Sequence, residues 1–225
     1  MKYPNLEKLV DIIAVLRSEN GCEWDREQTH KSLRPNMLEE AYEAVDAIDD
    51  GDIPNLREEL GDVLLQVVLH AQIAKDNNEF DIEDVAKELS DKLIHRHPHV
   101  FGNQKVYSTQ EILDNWDKLK KEEKTYRKSI LDGISKSQSA LMSAQKISKK
   151  VVKVGFEWDS VDSLKNCIKS EYKEFEEAVK EGDKDHMEDE MGDIFFATVN
   201  LARWYKIDAE QALLRANKKF MKRFK

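Results

Sequence analysis

Residues 36–74 read NMLEEAYEAVDAIDDGDIPNLREELGDVLLQVVLHAQIA, and residues 167–205 read CIKSEYKEFEEAVKEGDKDHMEDEMGDIFFATVNLARWY. Aligned at a constant separation of 131 positions, Glu40, Glu43, Gly51, Asp52, Glu59, Gly61 and Asp62 fall on Glu171, Glu174, Gly182, Asp183, Glu190, Gly192 and Asp193. Neighbours drift, as at Ala41 and Tyr172 or Val45 and Glu176, while the acidic residues and glycines hold. The flanks repeat too: Gly21-Cys22-Glu23-Trp24-Asp25 returns as Gly155-Phe156-Glu157-Trp158-Asp159, and Lys92 and Arg96 return as Lys219 and Arg223. Such self-similarity marks two copies of one helical unit in tandem, and gene duplication is its simplest origin.

Working outward, apolar residues recur at three- and four-residue steps. Leu6, Leu9, Val10, Ile13 and Leu16 make one amphipathic stripe, ending near Asn20-Gly21. A second pattern runs from about Leu33 to Ile48, with Pro35 tolerable in its first turn. Asp49 to Asn55 is read as the break, Leu56 to Ala74 as a third and well-buried helix, and Ile82 to Arg96 as a fourth, stopped by His97-Pro98. After a loop around Gly102, a strongly charged helix is expected from Thr109 to Arg127, then a Ser/Lys-rich approach to Ser137. The resulting division is residues 1–97, a connector over 98–137, and residues 138–225. The expected fold is all-α: two tandem four-helix units joined by a charged helical connector.

Composition agrees. Glycine and proline number 8 and 4, about 5% of the chain against a usual share near 12%, while 36% of residues are charged. The formal net charge of −9 repels phosphate backbones and anionic lipid, which argues against nucleic-acid and membrane partners. No apolar run approaches a membrane span, and MKYPNLEKLVDII lacks the pattern of a secretory leader, so a cytoplasmic location is expected. Cys22 and Cys167 form no CxxC pair.

Glu40 and Glu43 share a helix face, as do Glu59 and Asp62, and antiparallel neighbours would bring the four carboxylates together. Four anions so placed raise one another's pKa unless a cation sits between them. All-oxygen ligands suit hard cations, Mg²⁺ or Mn²⁺. Neither copy has the Glu-x-x-His pairs of di-iron bundles. A single acidic i, i+3 pair is an ordinary solvated face, but two pairs recurring at one separation are not. Gly61 and Gly192 are costly inside helices, and a close approach by a backbone or ligand is expected there. Alternating His95, His97 and His99 are read as a helix stop rather than a zinc site.

Glu39-Glu40-x-x-Glu43 followed by Glu59-x-x-Asp62 resembles the EExxE and ExxD signature of the MazG-type nucleoside triphosphate pyrophosphohydrolases, of the all-α pyrophosphatase superfamily. The segments CEWDREQTH, ELGDVLLQVV, HRHPHVFG and EMGDIFFATVNLAR are similar to that family as well, so the likeness spans both units. It implies helical bundles that pair as homodimers, Mg²⁺ held by acidic quartets, and cleavage of nucleoside triphosphates to monophosphate and pyrophosphate. By this likeness Glu40, Glu43, Glu59 and Asp62 bind metal in the first copy. Glu171, Glu174, Glu190 and Asp193 bind metal and carry the catalysis in the second.

Lys219 and Arg223, with their earlier counterparts Lys92 and Arg96, are candidate phosphate ligands, and Trp158 a candidate base-stacking residue. Asn200 stands where the first copy has Leu69, and Lys149, Lys150, Lys153 and Arg203 add positive charge, which favours the second copy as the working site. Two features depart from the family pattern. Ser170 replaces the first glutamate of EExxE, and the sequence ends at Lys225, where many relatives continue, which predicts a less closed nucleotide site. Narrower substrates such as dUTP or a phosphoribosyl nucleotide fit the carboxylates equally. A competing reading is a non-catalytic helical dimer that binds nucleotide or metal and acts through protein partners, using the charged stretch from Trp116 to Lys128.

Overall fold

The computed structural model describes residues 3–126 and 128–224. Among the described residues every regular element is a helix: α1 (Pro4–Leu16), α2 (Glu23–Glu27), α3 (Arg34–Asp50), α4 (Ile53–Asp76), α5 (Ile82–Arg96), α6 (Pro98–Phe101), α7 (Thr109–Glu122), α8 (Ala140–Val152), α9 (Val161–Glu181), α10 (Lys184–Trp204) and α11 (Ala209–Phe224). The chain forms two compact units, Met1–Lys121 and Glu122–Lys225. Each holds four principal helices, α1, α3, α4 and α5 in the first and α8 to α11 in the second.

The hairpins α3–α4 and α9–α10 explain the recurring Gly-Asp pairs. Gly51 (φ 69°) and Gly182 (φ 73°) close α3 and α9 in the left-handed conformation, where a Cβ would be strained. Asp52 and Asp183 then cap the next helices, accepting from the backbone N–H of Asn55 and of Asp185 and His186 respectively. A two-residue connection leaves the partners antiparallel and closely packed. Pro54 was read as part of the break but lies in the first turn of α4, where its missing N–H costs nothing. The read boundaries differ in other places as well. Residues 23–27 form the short α2, Pro98–Phe101 adds a single helical turn after the stop, and α7 ends at Glu122. Arg127, the expected end of the charged helix, lies outside the described residues.

The boundary between the units falls inside the stretch read as a connector. Trp116 of α7 packs against His97 (ring centroids 4.9 Å apart) and under the Arg96 guanidinium (5.3 Å), which ties α7 to the first unit. Lys150 Nζ donates to the carbonyls of Ile130 (2.5 Å) and Asp132 (3.2 Å), which ties the later part to the second.

In the first unit the core is Ile13, Leu33, Val68, Leu69 and Ile73, each nearly inaccessible, flanked by Leu9, Val10, Leu16, Leu65 and Ile82. Burial at roughly 25 cal/mol per Å² of apolar surface lets this cluster contribute to that unit's stability. The second unit buries Leu164, Ala178, Ile194, Ala197 and Val199 together with three polar residues, Gln145, Ser148 and Asn200. Gln145 accepts from Ala209 N–H (2.9 Å) and donates to Ile207 carbonyl (2.7 Å), joining α8 to the start of α11. Among the described residues no helix is long and apolar enough to cross a membrane.

Candidate active site

Antiparallel α3 and α4 bring carboxylate oxygens of Glu40, Glu43 and Glu59 within 4.8 Å of one another. Helices α9 and α10 do the same for Glu171, Glu174 and Glu190. Asp62 sits close enough to act on the charge of Glu40 and Glu59, and Asp193 on that of Cys167. Three carboxylates of each quartet therefore gather, with Asp62 and Asp193 nearby. Among the described residues these two carboxylate groups are the clusters able to hold a metal ion.

Their electrostatics differ. In the first unit Glu59 is 9% exposed, and burial raises its pKa, followed by the charge and hydrogen bond of Glu43 and the charges of Asp62 and Glu58. Glu40 is raised likewise, by desolvation first and then by Asp62, Glu43 and Glu39. This cluster repels itself. In the second unit neighbouring donors meet the carboxylates. Ser170 Oγ donates to Glu174 Oε1 (2.8 Å), Cys167 Sγ to Glu171 Oε1 (3.2 Å), and His186 Nε2 stands 3.2 Å from Glu190 Oε1. His186 also meets Glu181 Oε2 at 3.2 Å. The hydrogen bond to Glu181 is the chief reason its pKa is raised. Ser170, the departure from EExxE, thus positions one of the carboxylates it flanks. Burial, the bond to Glu171 and the surrounding acids push the Cys167 thiol up to about 11, so it serves as a donor and not as a nucleophile.

The donor set fits a hard divalent cation. Glu190 Oε2 is fully buried with no hydrogen-bond partner among the described residues, although its side chain belongs to an all-oxygen cluster. A buried carboxylate oxygen left bare costs free energy that a bound cation would recover.

Beside the second cluster lies a cavity of about 600 Å³ whose walls include Ile147, Val151, Phe156, Trp158, Phe196 and Ala197, with Glu171, Asp193 and Asn200 among its polar members. An apolar chamber opening onto a few placed polar groups is the usual form of a small-molecule site. Trp158 and Asn200 therefore sit in one wall with two of the carboxylates. Asn200 Oδ1 accepts from Ser148 Oγ (2.6 Å), and its Nδ2 donates to Phe196 carbonyl (2.9 Å), which fixes the carboxamide. Glu157 clamps Arg203 with two bonds of 2.7 and 2.5 Å at the cavity edge.

Other sequence candidates are placed differently. Lys219 and Arg223 lie exposed on the last turns of α11, beyond the start of that helix that packs on α8 and α10. Lys92 is half-buried on α5, and Arg96 is 6% exposed, its guanidinium over the Trp116 ring. Lys150 and Arg203, read as facing an anionic ligand, are engaged by the Ile130 and Asp132 carbonyls and by Glu157. His97 Nδ1 lies 2.6 Å from the Leu93 carbonyl, and its ring packs on His99 and Trp116. The expected close approach at Gly61 and Gly192 is not met among the described residues, where a Cβ at either position has open space for 4 Å. Both glycines face outward. The donors Ser170, Cys167 and His186 escaped sequence reading, although Cys167 and His186 each stand four residues before a cluster glutamate, and that helical spacing is a usable signal.

Comparison with known proteins gives the family. The family profile described as the MazG nucleotide pyrophosphohydrolase domain matches residues 28–101 and 159–225. The chain is 46% identical over 220 residues to the nucleoside triphosphate pyrophosphohydrolase/pyrophosphatase MazG of Thermotoga maritima, covering 97% of this chain and 84% of that protein. It is 44% identical over 228 residues to the nucleoside triphosphate pyrophosphohydrolase of Escherichia coli K12, covering 98% and 86%. A crystal structure of a mazG-related protein from Thermotoga maritima aligns with 51% of this chain and 98% of its own, at 31% identity and a TM-score of 0.45. With two matched segments, each containing one carboxylate cluster, the chain belongs to the MazG family of nucleotide pyrophosphohydrolases.

Proposed function

We propose that the protein hydrolyses nucleoside triphosphates between the α and β phosphates, releasing monophosphate and pyrophosphate, and that the second unit is its principal working site. The observation that carries the assignment to this unit is the junction of an acidic cluster with an apolar cavity, Glu171 and Asp193 standing in the wall that Trp158 and Asn200 share. The phosphates belong at the carboxylate end and the nucleoside in the cavity. Glu171, Glu174, Glu190 and Asp193 would hold Mg²⁺, with Mn²⁺ a chemical substitute. The bound ion supplies charge neutralisation for the phosphates and a more acidic water.

The chain's own groups do the rest. Ser170 and Cys167 aim Glu174 and Glu171 by donating to one oxygen of each, leaving the other oxygen for ligand. Glu174, the more exposed member, is placed to accept the proton of the attacking water. Trp158 and Phe156 offer apolar faces to a base.

The outer surfaces support pairing of two copies. Tyr42 and Leu60 in the first unit and Tyr172 and Phe195 in the second are more than half exposed. Beside Phe195, an open groove of about 570 Å³ is lined by Phe175, Met187, Met191 and Gly192. Exposed apolar side chains grouped in this way mark interaction surfaces, and a homodimer would cover them symmetrically. The outward Gly192 leaves room there for a partner's backbone.

The test is pyrophosphate release from a panel of nucleoside triphosphates, with Mg²⁺ and with EDTA. Release that needs the metal and vanishes in Glu171→Ala/Glu174→Ala supports the reading. Nucleotide binding without turnover on any substrate refutes it.

A further inference from the structure

The face of α4 that carries the first cluster continues past Asp62. Glu59, Asp62, Gln66, Leu69 and Ile73 follow one another at steps of three and four, and so lie along a single stripe. In the second unit the same stripe is Glu190, Asp193, Ala197, Asn200 and Trp204, and Asp193, Ala197 and Asn200 all line the 600 Å³ cavity. By the repeat, Gln66 occupies the register position of Ala197, one helical turn beyond Asp62. Gln66 is only 4% exposed, and its Oε1 has no hydrogen-bond partner among the described residues. Leu69, where the second unit has Asn200, is 3% exposed and belongs to the hydrophobic core with Ile13 and Leu33. The first unit thus ends its stripe in packed hydrocarbon and keeps a buried acceptor just before it.

Leaving such an acceptor bare is costly, and a donor from outside the chain would remove that cost. Four helical residues advance about 6 Å along the axis. With phosphates on the carboxylates, the group bonded next to the α phosphate is the sugar, whereas the base lies further on, where Leu69 and Ile13 fill the space. We propose that Gln66 reads a sugar hydroxyl of a nucleotide held by the first unit, accepting a hydrogen bond from it through Oε1. This rests on the reading of the first carboxylate cluster as a metal-nucleotide site. The second unit, with Ala197 at this position, has no such discrimination. The two sites then differ in kind: the first selects on the sugar in a shallow site, and the second accepts the nucleoside in an apolar chamber.

The test uses the full chain with the second site silenced by Glu171→Gln and Glu174→Gln. Binding of Mg²⁺ complexes of α,β-methylene nucleoside triphosphates is measured by calorimetry for the ribo, 2′-deoxy and 3′-deoxy forms. Loss of the hydroxyl that Gln66 reads should weaken binding about tenfold, the worth of one neutral hydrogen bond. Gln66→Ala, which copies the second unit, and Gln66→Met, which keeps the volume, should both bring all three analogues to one weakened affinity. Unfolding curves for the two variants show whether each is folded. Equal affinity for all three analogues in the chain that keeps Gln66 overturns the inference while leaving a nucleotide site in place, and water then serves the acceptor. No binding of any analogue, with Glu40→Ala/Glu43→Ala equally silent, removes the first nucleotide site altogether and the inference with it.

Discussion

The two carboxylate clusters share a hairpin, a register and a set of acids, yet one is surrounded by donors and the other by its own charge. In the second unit Cys167, Ser170 and His186 each address a cluster glutamate, and the stripe beyond Asp193 opens onto a chamber through Ala197 and Asn200. In the first, Glu40 and Glu59 are pushed up by burial and by neighbouring acids, and the stripe beyond Asp62 closes into Leu69 and Ile73. A duplicated scaffold keeps its carboxylate frame in both units, and in the second an apolar cavity adjoins it. Retaining ligand positions constrains a few side chains, whereas a chamber constrains every residue along its walls.

Removing ligands gives the largest effect and the most direct way to break this contrast. Glu171→Ala with Glu174→Ala should lower pyrophosphate release by roughly a thousandfold or more, because the loss reaches the proposed metal ligands and proton acceptor together. Glu40→Ala with Glu43→Ala should cost less. Equal losses in steady-state turnover would make the two units equivalent sites.

Exchanging one wall residue is a milder intervention. Asn200→Leu places the first unit's residue in the second and strands Ser148 Oγ, which is wholly buried and donates to Asn200. A loss of about 1–3 kcal/mol in denaturant unfolding is expected, with a raised KM as the wall shifts. Leu69→Asn, the reverse exchange, buries a carboxamide in hydrocarbon and should destabilise the first unit by a similar amount. If neither variant changes stability, the polar and apolar versions of the wall are interchangeable and the contrast has little physical content.

Much of this was legible in the sequence, for identifiable reasons. Helical periodicity located the principal helices, and the i, i+3 spacing of the acids placed both clusters, because one helix face is fixed by local geometry alone. Gly51-Asp52 and Gly182-Asp183 were visible as repeats, but their role as a left-handed cap followed by a helix start needs the turn geometry. What stayed hidden depended on contacts between distant segments. The pairing of Glu157 with Arg203 spans 46 residues, and no local pattern announces it. Lys150 looked like a ligand for an anion because its charge is local information, whereas the Ile130 carbonyl that engages it is not. Gly61 and Gly192 signalled a close approach correctly only if the approaching surface belongs to another molecule.

The smallest expected effect separates the two units by pH. His70 in the first unit has its pKa lowered, by burial and then by the charge of His30, whose Nδ1 lies 2.7 Å from its own. The unfolded chain takes up this proton near 6.5 and the folded chain resists it, so the first unit loses stability as pH falls through 6.5 until the depressed value is reached. Glu157 in the second unit is lifted by burial, but hydrogen bonds from Arg203 and the Trp158 N–H, with the arginine's charge, outweigh it and hold the carboxyl below its ordinary 4.5. Its contribution is complete above 4.5 and fades as pH falls through the depressed value. For a pair this near the surface the effect is about 1 kcal/mol or less. Hydrogen exchange, corrected for intrinsic rates, reads the units separately through peptides of α4 and α10. His70→Gln should flatten the pH dependence of α4 protection below 6.5 relative to the parent and leave α10 unchanged, while Glu157→Gln should act on α10 alone and only at the more acidic end. Taking each variant against its parent cancels the contribution of the carboxylate clusters, which both proteins share. If either substitution moved both peptides together, the units would unfold as one cooperative body, and the contrast between them would be one of chemistry without separate stability.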